Sequence, residues 1–529
     1  MKKLVYTVLL ALVWNCGYAY HPGKWGNWAT WGEQSDGTYH NPVLPGDFSD
    51  LDCIRVGDDY YAITSTFQYS PGMTILHSKD LVNWSIISHA VEDIRQIGPA
   101  LNWDRMDRYG RGIWAGSIRY NDGRFYVLFG TPEEGFFTTW AKDPRGPWAP
   151  LTNILPERGW DDCTAIWDEN GQAYFIGTCF GDGYKTYLFK MAPDCSSIDR
   201  SSAVLINQGD GREASKLIKV GNYYYLIYST VEHGIRFVVG KRTLDLSNPK
   251  GWSEEKRLMA YNRESHEPNQ GGVVLGPDNK QWYFFTHHGH GDWSGRIASL
   301  LPVTWVDGWP IMGRVGEDGL GYMVWSAEMP LKAESEKKTV FFDDFKSKEL
   351  NPNWAWNYYP RNEMWSLTDK KGHLRMKAVK PIESNNLKKT PNILTQRIYR
   401  TGFNQVTTKI KVKGMADGQV AGLCHYAHTY AYIGLQKTNG NPEIVFNENE
   451  QIKTLPIKKT KNIWLRSTWG LDGKSTFSYS TDGKTFVEFG NPYQFTWGDY
   501  RGTRVGLFTS NETEEKGYID VDFFKYERK

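Results

Sequence analysis

The sequence predicts an all-β chain in two parts, a five-bladed β-propeller followed by a β-sandwich. Three observations carry this. Convincing helical periodicity is absent, while Gly and Pro recur throughout, 53 and 24 times in 529 residues. Between residues 41 and 325 one local pattern returns five times: a turn, then an aromatic doublet or triplet, then an apolar strand. Past residue 338 the alternation of Thr407 to Lys413 and of Gly517 to Phe524 matches the half-buried strands of two packed sheets.

The five starts are Gly57 before Tyr60-Tyr61, Gly123 before Phe125-Tyr126, Gly171 before Tyr174-Phe175, Gly221 before Tyr223-Tyr224-Tyr225, and Asp278 before Trp282-Tyr283. Their spacing of roughly 50 to 65 residues fits one four-stranded blade with its loops. A propeller gathers the inner-strand ends of all blades around one axial funnel, so residues distant in sequence converge there.

Upstream, Met1-Lys2-Lys3, the apolar run Leu4 to Trp14, and the small-residue site ending at Ala19 read as a signal peptide over residues 1–19. The run is too short to span a bilayer. The expectation is a secreted or periplasmic protein; bulky Trp14 and Asn15 count against lipoprotein processing at Cys16. Residues 20–40, with Trp25, Trp28 and Trp31, are expected to form a Trp-rich strap packed on the propeller of residues 41–325, with a rim of the substrate site as the alternative. The polar, charged stretch 326–338 is a linker, and 339–529 is the sandwich. Cys53, Cys163, Cys179, Cys195 and Cys424 lack CxxC spacing and read as mostly free buried thiols, with a Cys179–Cys195 bridge as the alternative.

Lys and Arg total 62 against 60 Asp and Glu, which removes any electrostatic case for nucleic acid or an anionic membrane as partner. Aromatics reach 15%, including 23 Trp. Flat rings stack on the apolar faces of sugars, although all-β cores consume aromatics too. A monomer acting on a polysaccharide or oligosaccharide is expected.

Acids stand at matching places in three of the repeats. Asp50 lies in Phe48-Ser49-Asp50-Leu51-Asp52, Asp161 and Asp162 follow Gly159-Trp160, and Glu213 lies in Gly211-Arg212-Glu213-Ala214-Ser215-Lys216. Each precedes its blade's aromatic strand by a similar offset. A lone loop Asp is usually a turn-former. Three acids in register on different blades point instead to glycosidic hydrolysis, where one carboxyl protonates the leaving oxygen and another activates water or attacks the sugar. A third carboxylate nearby can keep the acid protonated.

These pieces resemble glycoside hydrolase family 43, the five-bladed inverting arabinofuranosidases, xylosidases and arabinanases. The resemblance covers roughly residues 40 to 325. It is carried by Asn41 to Gly46 followed by Asp50, by Ile113-Trp114-Ala115 with Ile118-Arg119-Tyr120, by Asp162 to Gly171, by Glu213 before Tyr223, and by Pro302 to Pro310. It implies Asp50 as general base, Glu213 as general acid, and Asp162 as the residue that raises and orients the acid. Phe67, Trp114, Trp160, His287 and Arg296 are the implied substrate contacts. The usual Pro-Asp-Pro is Ser49-Asp50-Leu51 here, Trp-Ala-Pro is Trp114-Ala115-Gly116, and Glu-Gly-Pro-His is Glu213-Ala214-Ser215-Lys216. Every carboxylate survives these departures; the contacts that choose the sugar differ. The Asp343-Asp344-Phe345, Asn351 to Trp354 and Ala421 to Leu423 pieces resemble the concanavalin A-like module that follows many family xylosidases, where it packs on the propeller and can lend a loop to the pocket.

His287, His288 and His290 lack a local carboxylate or Cys to complete a transition-metal set. The resemblance places one His, here His287 or His290, in the axial channel, where it can approach a structural calcium; no cofactor is required for the reaction. The reading is an exo-acting inverting hydrolase removing α-L-arabinofuranosyl or β-D-xylosyl residues from arabinoxylan, xylan or arabinan. A galactofuranosidase or exo-galactanase of the same fold, and a non-catalytic glycan-binding propeller, are the alternatives.

Overall fold

Five antiparallel four-stranded units follow one another along the chain in the computed structural model, which describes residues 30–260, 269–288, 293–332 and 337–529; the fourth is extended to a six-stranded sheet by Gly321–Tyr322 and Arg314–Val315. Blade 1 is Asp52–Val56, Asp59–Thr64, Gly72–Ser78 and Ser85–Val91. Blade 2 is Gly116–Asn121, Arg124–Thr131, Gly135–Ala141 and Thr152–Leu155. Blade 3 is Trp160–Trp167, Ala173–Cys179, Lys185–Met191 and Ile198–Asn207. Blade 4 is Glu213–Val220, Tyr223–Glu232, Ile235–Thr243 and Lys256–Ala260, and blade 5 is Val273–Leu275, Trp282–His288, Ile297–Val306 and Trp309–Met312.

Every aromatic doublet read from the sequence falls in the second strand of its blade. The turn before it is a tight hairpin that needs a left-handed residue, supplied by Gly57, Gly123, Gly171 and Gly221 and, in blade 5, by Asn279 at φ 57°. Side chains alternate across a strand, so the two aromatics enter opposite cores. Tyr60 joins Phe285 between blades 1 and 5, while Ile63 joins Phe125 between blades 1 and 2. Tyr126 meets Phe175 between blades 2 and 3, Tyr174 meets Leu226 between 3 and 4, and Tyr225 meets Phe284 between 4 and 5. Five inter-blade cores in cyclic order close the ring. Burial on both faces explains why these strands are continuously apolar.

The strap region pins the ring from outside. Thr38–His40 pairs with Ser326–Glu328, so part of the expected linker is a strand. The Asn41 side chain bonds both the N–H and the C=O of Leu300 in blade 5. The signal peptide, Trp25, Trp28 and His290 lie outside the described residues. The five described cysteines are free, and of these only Cys179 is less than fully buried. Among the described residues no helix is long and apolar enough to cross a membrane.

The second domain is the predicted sandwich. One sheet runs through Leu374–Lys377, Tyr518–Arg528, Asn404–Lys411, Asn462–Trp469 and Lys474–Ser480. The other runs through Asn441–Glu448, Tyr430–Thr438, Gln419–Tyr426, Arg504–Asn511, Leu394–Arg397 and Ala355–Asn357. Its edge is extended by Tyr69–Ser70, a propeller segment, paired with Trp356 and Asn357. The domains therefore share a sheet. Arginines fill the seam: Arg397 donates to Asp47 O at 2.7 Å and Thr74 Oγ1 at 3.0 Å, and Arg501, 1% exposed, lies over the Phe67 and Tyr109 rings.

Candidate active site

The first strands of the blades begin irregularly, and the irregularities aim the acids. In blade 3 the pairing register shifts between Asp161 and Cys163, with Asp162 left-handed at φ 48°. In blade 4 it shifts between Glu213 and Lys216, with Ala214 at φ 68°. A bulge carrying a left-handed residue breaks the alternation of side chains and turns one of them out of the sheet. Asp50 at φ 58° and Gln270 at φ 49° occupy the corresponding approaches to blades 1 and 5. Non-glycine residues at positive φ are uncommon and cluster where function holds them.

Asp50, Asp162 and Glu213 line one pocket of about 440 Å³ with Phe67, Trp114, Phe180, Tyr184, Arg236, Asn269, Gln270 and Arg296. Asp499 and Tyr500 close one side from the sandwich. Asp50, 3% exposed, accepts Ser65 Oγ at 2.5 Å on one oxygen and Arg296 Nη1 at 2.5 Å on the other. Glu213 is the more accessible, its side chain 26% exposed, and it meets Arg236 Nη1 at 2.7 Å and Asn269 Nδ2 at 3.4 Å. Asp162 is buried beside it, taking a hydrogen bond from Gln270 Nε2 and one from the Ala214 backbone. Burial, and then the charge of Glu213, push the Asp162 carboxyl up to about 6. Burial and the charge of Asp162 likewise hold Asp161 well above the usual carboxylate range.

Of the residues expected to touch substrate, Phe67, Trp114 and Arg296 line this pocket. His287 does not; it is 2% exposed and sits behind Asp50, Nδ1 3.7 Å from Oδ1. Trp160 is also elsewhere, packed against Phe136, Tyr187 and Phe189 and lining a neighbouring cavity of about 630 Å³. Trp160 and Asp162 would share a face in a regular strand, but the bulge between them sends the ring into the blade 2–3 core and the carboxylate to the axis. The sequence reading missed Gln270, Asn269, Arg236, Phe180, Tyr184, Asp499 and Tyr500. Gln270 was reachable, because it precedes Trp282 by twelve residues as Asp162 precedes Tyr174. Arg236 on a hairpin, and a loop from another domain, carry no such signal.

Calcium takes roughly six to eight oxygen ligands, and among the described residues no cluster of His, Cys, Asp and Glu could hold a metal. Between the blades, Lys216 Nζ donates to Gly116 O at 2.6 Å and Arg119 Nη1 to Asp52 Oδ2 at 2.6 Å. His290 lies outside the described residues.

The sequence matches the profile of Glycosyl hydrolases family 43 over residues 39–310, and that of the Beta xylosidase C-terminal Concanavalin A-like domain over residues 342–527. It is 32% identical over 553 residues to a beta-xylosidase of Formosa agariphila, covering 94% of this chain and 92% of that protein. It is 27% identical over 461 residues to a non-reducing end alpha-L-arabinofuranosidase of Bacteroides ovatus, covering 80% of each. Among solved structures, a bifunctional GH43-CE protein of Bacteroides eggerthii is similar with a TM-score of 0.81 and 30% identity over 93% of this chain, which spans 64% of that one. With three carboxylates converging on the axis of a closed five-bladed ring, the chain is a glycoside hydrolase that belongs to glycosyl hydrolases family 43 and carries the family's concanavalin A-like C-terminal domain.

Proposed function

We propose that the enzyme removes single α-L-arabinofuranosyl or β-D-xylosyl residues from the non-reducing ends of xylan, arabinoxylan or arabinan, with inversion. The observation that carries the exo reading is the wall formed by Asp499 and Tyr500, which turns the propeller funnel into a pocket instead of an open cleft. The names of the beta-xylosidase and arabinofuranosidase relatives support the two sugars.

In this reading Asp50 is the base. Arg296 and Ser65 fix its two oxygens, and each oxygen keeps a lone-pair site for a water proton. Glu213 protonates the leaving oxygen, and Asp162, fixed by Gln270, opposes its ionisation while the sugar is bound. Arg236 then stabilises the glutamate anion left after proton transfer. Export to where such polymers occur fits the signal peptide read at residues 1–19. A comparison of kcat/KM on nitrophenyl α-L-arabinofuranoside, β-D-xyloside and β-D-galactofuranoside tests the substrate class. Activity on either pentoside supports it, and turnover of the galactofuranoside alone overturns it.

A further inference from the structure

A fourth acid of the pocket, Asp161, has no part in the reaction scheme. It lines the same pocket as Asp50, Asp162 and Glu213. Neighbouring residues of a regular strand point to opposite faces, but the register shift between Asp161 and Cys163 brings Asp161 and Asp162 to one pocket. The surroundings of Asp161 set it apart. Asp50 has Ser65 and Arg296 as donors, Glu213 has Arg236, and Asp162 has Gln270. Asp161 Oδ1 is buried and, among the described residues, has no hydrogen-bond partner. It rests against Gly130 in the second strand of blade 2, where a Cβ would stand 3.3 Å from Oδ1. The Gly130 N–H does not serve it, being bonded to Ala115 O at 3.4 Å. The residue as a whole is half-buried, which leaves Oδ2 as the oxygen open to a ligand. Five acids and two arginines line the pocket, and the arginines, Arg236 and Arg296, bond Glu213 and Asp50. An anion taken out of water needs donors on its oxygens, and Asp161 has instead the charges of Asp162, Asp50 and Glu213 facing it.

We propose that Asp161 serves as a neutral carboxylic acid: Oδ1 is its carbonyl oxygen, sealed against blade 2, and Oδ2 carries the proton and donates a hydrogen bond to a hydroxyl of the sugar bound among the acids. A carbonyl oxygen left without a donor costs far less than an anion in the same place. Burial and the charge of Asp162, which hold the Asp161 carboxyl above the usual range, agree with this. An ionised acid offers a sugar only lone pairs, whereas a protonated one also offers a donor. Asp161 thus reads a hydroxyl as an acceptor, which the ionised base cannot do. It gives up no proton to the leaving group and adds sugar recognition to the roles already assigned. The inference rests on the reading of this pocket as the sugar site.

The test compares Asp161→Ala and Asp161→Asn with the wild type by kcat/KM, on the nitrophenyl glycoside that the wild type hydrolyses best and on its monodeoxy analogues. Choosing the glycoside this way keeps the test informative even where the pentoside assignment fails. Asp161→Ala should lose about three- to tenfold on the parent glycoside, the size of one neutral hydrogen bond. Asp161→Asn, whose amide N–H replaces the carboxyl O–H, should stay within about twofold of the wild type. The alanine loss should disappear on the analogue that lacks the bound hydroxyl. An asparagine loss as large as the alanine loss overturns the neutral donor, because the site then requires the anion. No loss in Asp161→Ala, or an equal loss on the parent and on every analogue, overturns the contact and leaves Asp161 shaping its bulge. If Asp161→Ala does not fold, Asp161→Asn decides. Wild-type kcat/KM on the parent and on the analogues supports the donor, and a loss of about tenfold in the folded variant overturns it.

Discussion

Arg236 Nη1 meets Glu213 at 2.7 Å and the buried Asp162 lines the same pocket, so the glutamate has a cation as its partner and a second acid as its neighbour. A proton donor that must be re-protonated every turnover needs both influences. Glu213→Gln removes the proton but keeps the shape. Its kcat/KM should fall about 10²- to 10⁴-fold on natural oligosaccharides, and far less on aryl glycosides whose leaving groups need little protonation. Equal losses on both substrate types would take Glu213 out of the acid role.

Asp162→Asn should move the alkaline limb of the kcat/KM profile down. Removing the negative charge leaves the site holding its proton less tightly, and Asn can still accept the Gln270 hydrogen bond. A folded variant with an unmoved limb would show that Asp162 only shapes its bulge.

The same substitution has a stability signature. The Asp162 carboxyl stands at about 6 in the folded protein against an ordinary value of 3.8. The folded state therefore binds the extra proton between these values, and wild-type stability drops as pH rises through that window. The drop is at most about 3 kcal/mol for this group. Asp162→Asn lacks it, so its melting temperature should gain on the wild type between pH 4 and pH 7. A constant difference across that range would contradict the raised value.

Tyr500 links the sandwich to the chemistry, since the Arg296 guanidinium lies 4.9 Å from its ring centroid while also bonding Asp50. Tyr500 is 39% exposed, so Tyr500→Ala removes little core. We expect kcat/KM to fall about tenfold, the size of one cation–π contact of ~1–2 kcal/mol, with the melting temperature nearly unchanged. Wild-type kinetics in the variant would leave the second domain as a brace only.

Much of this was legible in the sequence, and the reason differs by element. The blades could be read because each second strand must bury neighbouring aromatics in opposite cores, as Tyr60 and Tyr225 do, behind a turn that demands a left-handed residue such as Gly57. The acids could be read because they recur at similar offsets, ten to twelve residues, ahead of those strands. What stayed hidden depended on local register or on distant chain. The bulge after Trp160 reversed its side chain, a change that hydrophobic pattern does not encode. Tyr500 and Asp499 reach the pocket only because Tyr69–Ser70 adds a propeller strand to the sandwich sheet, a pairing across nearly three hundred residues of sequence.

The most direct measurement is the anomeric configuration of the first sugar released, followed by proton NMR before mutarotation. With Asp50 activating water opposite a leaving group protonated by Glu213, one displacement gives α-xylose from a β-xyloside, or β-arabinose from an α-arabinofuranoside. Release of the sugar with its original anomeric configuration would require a covalent glycosyl–enzyme intermediate and would contradict the roles assigned to Asp50 and Glu213.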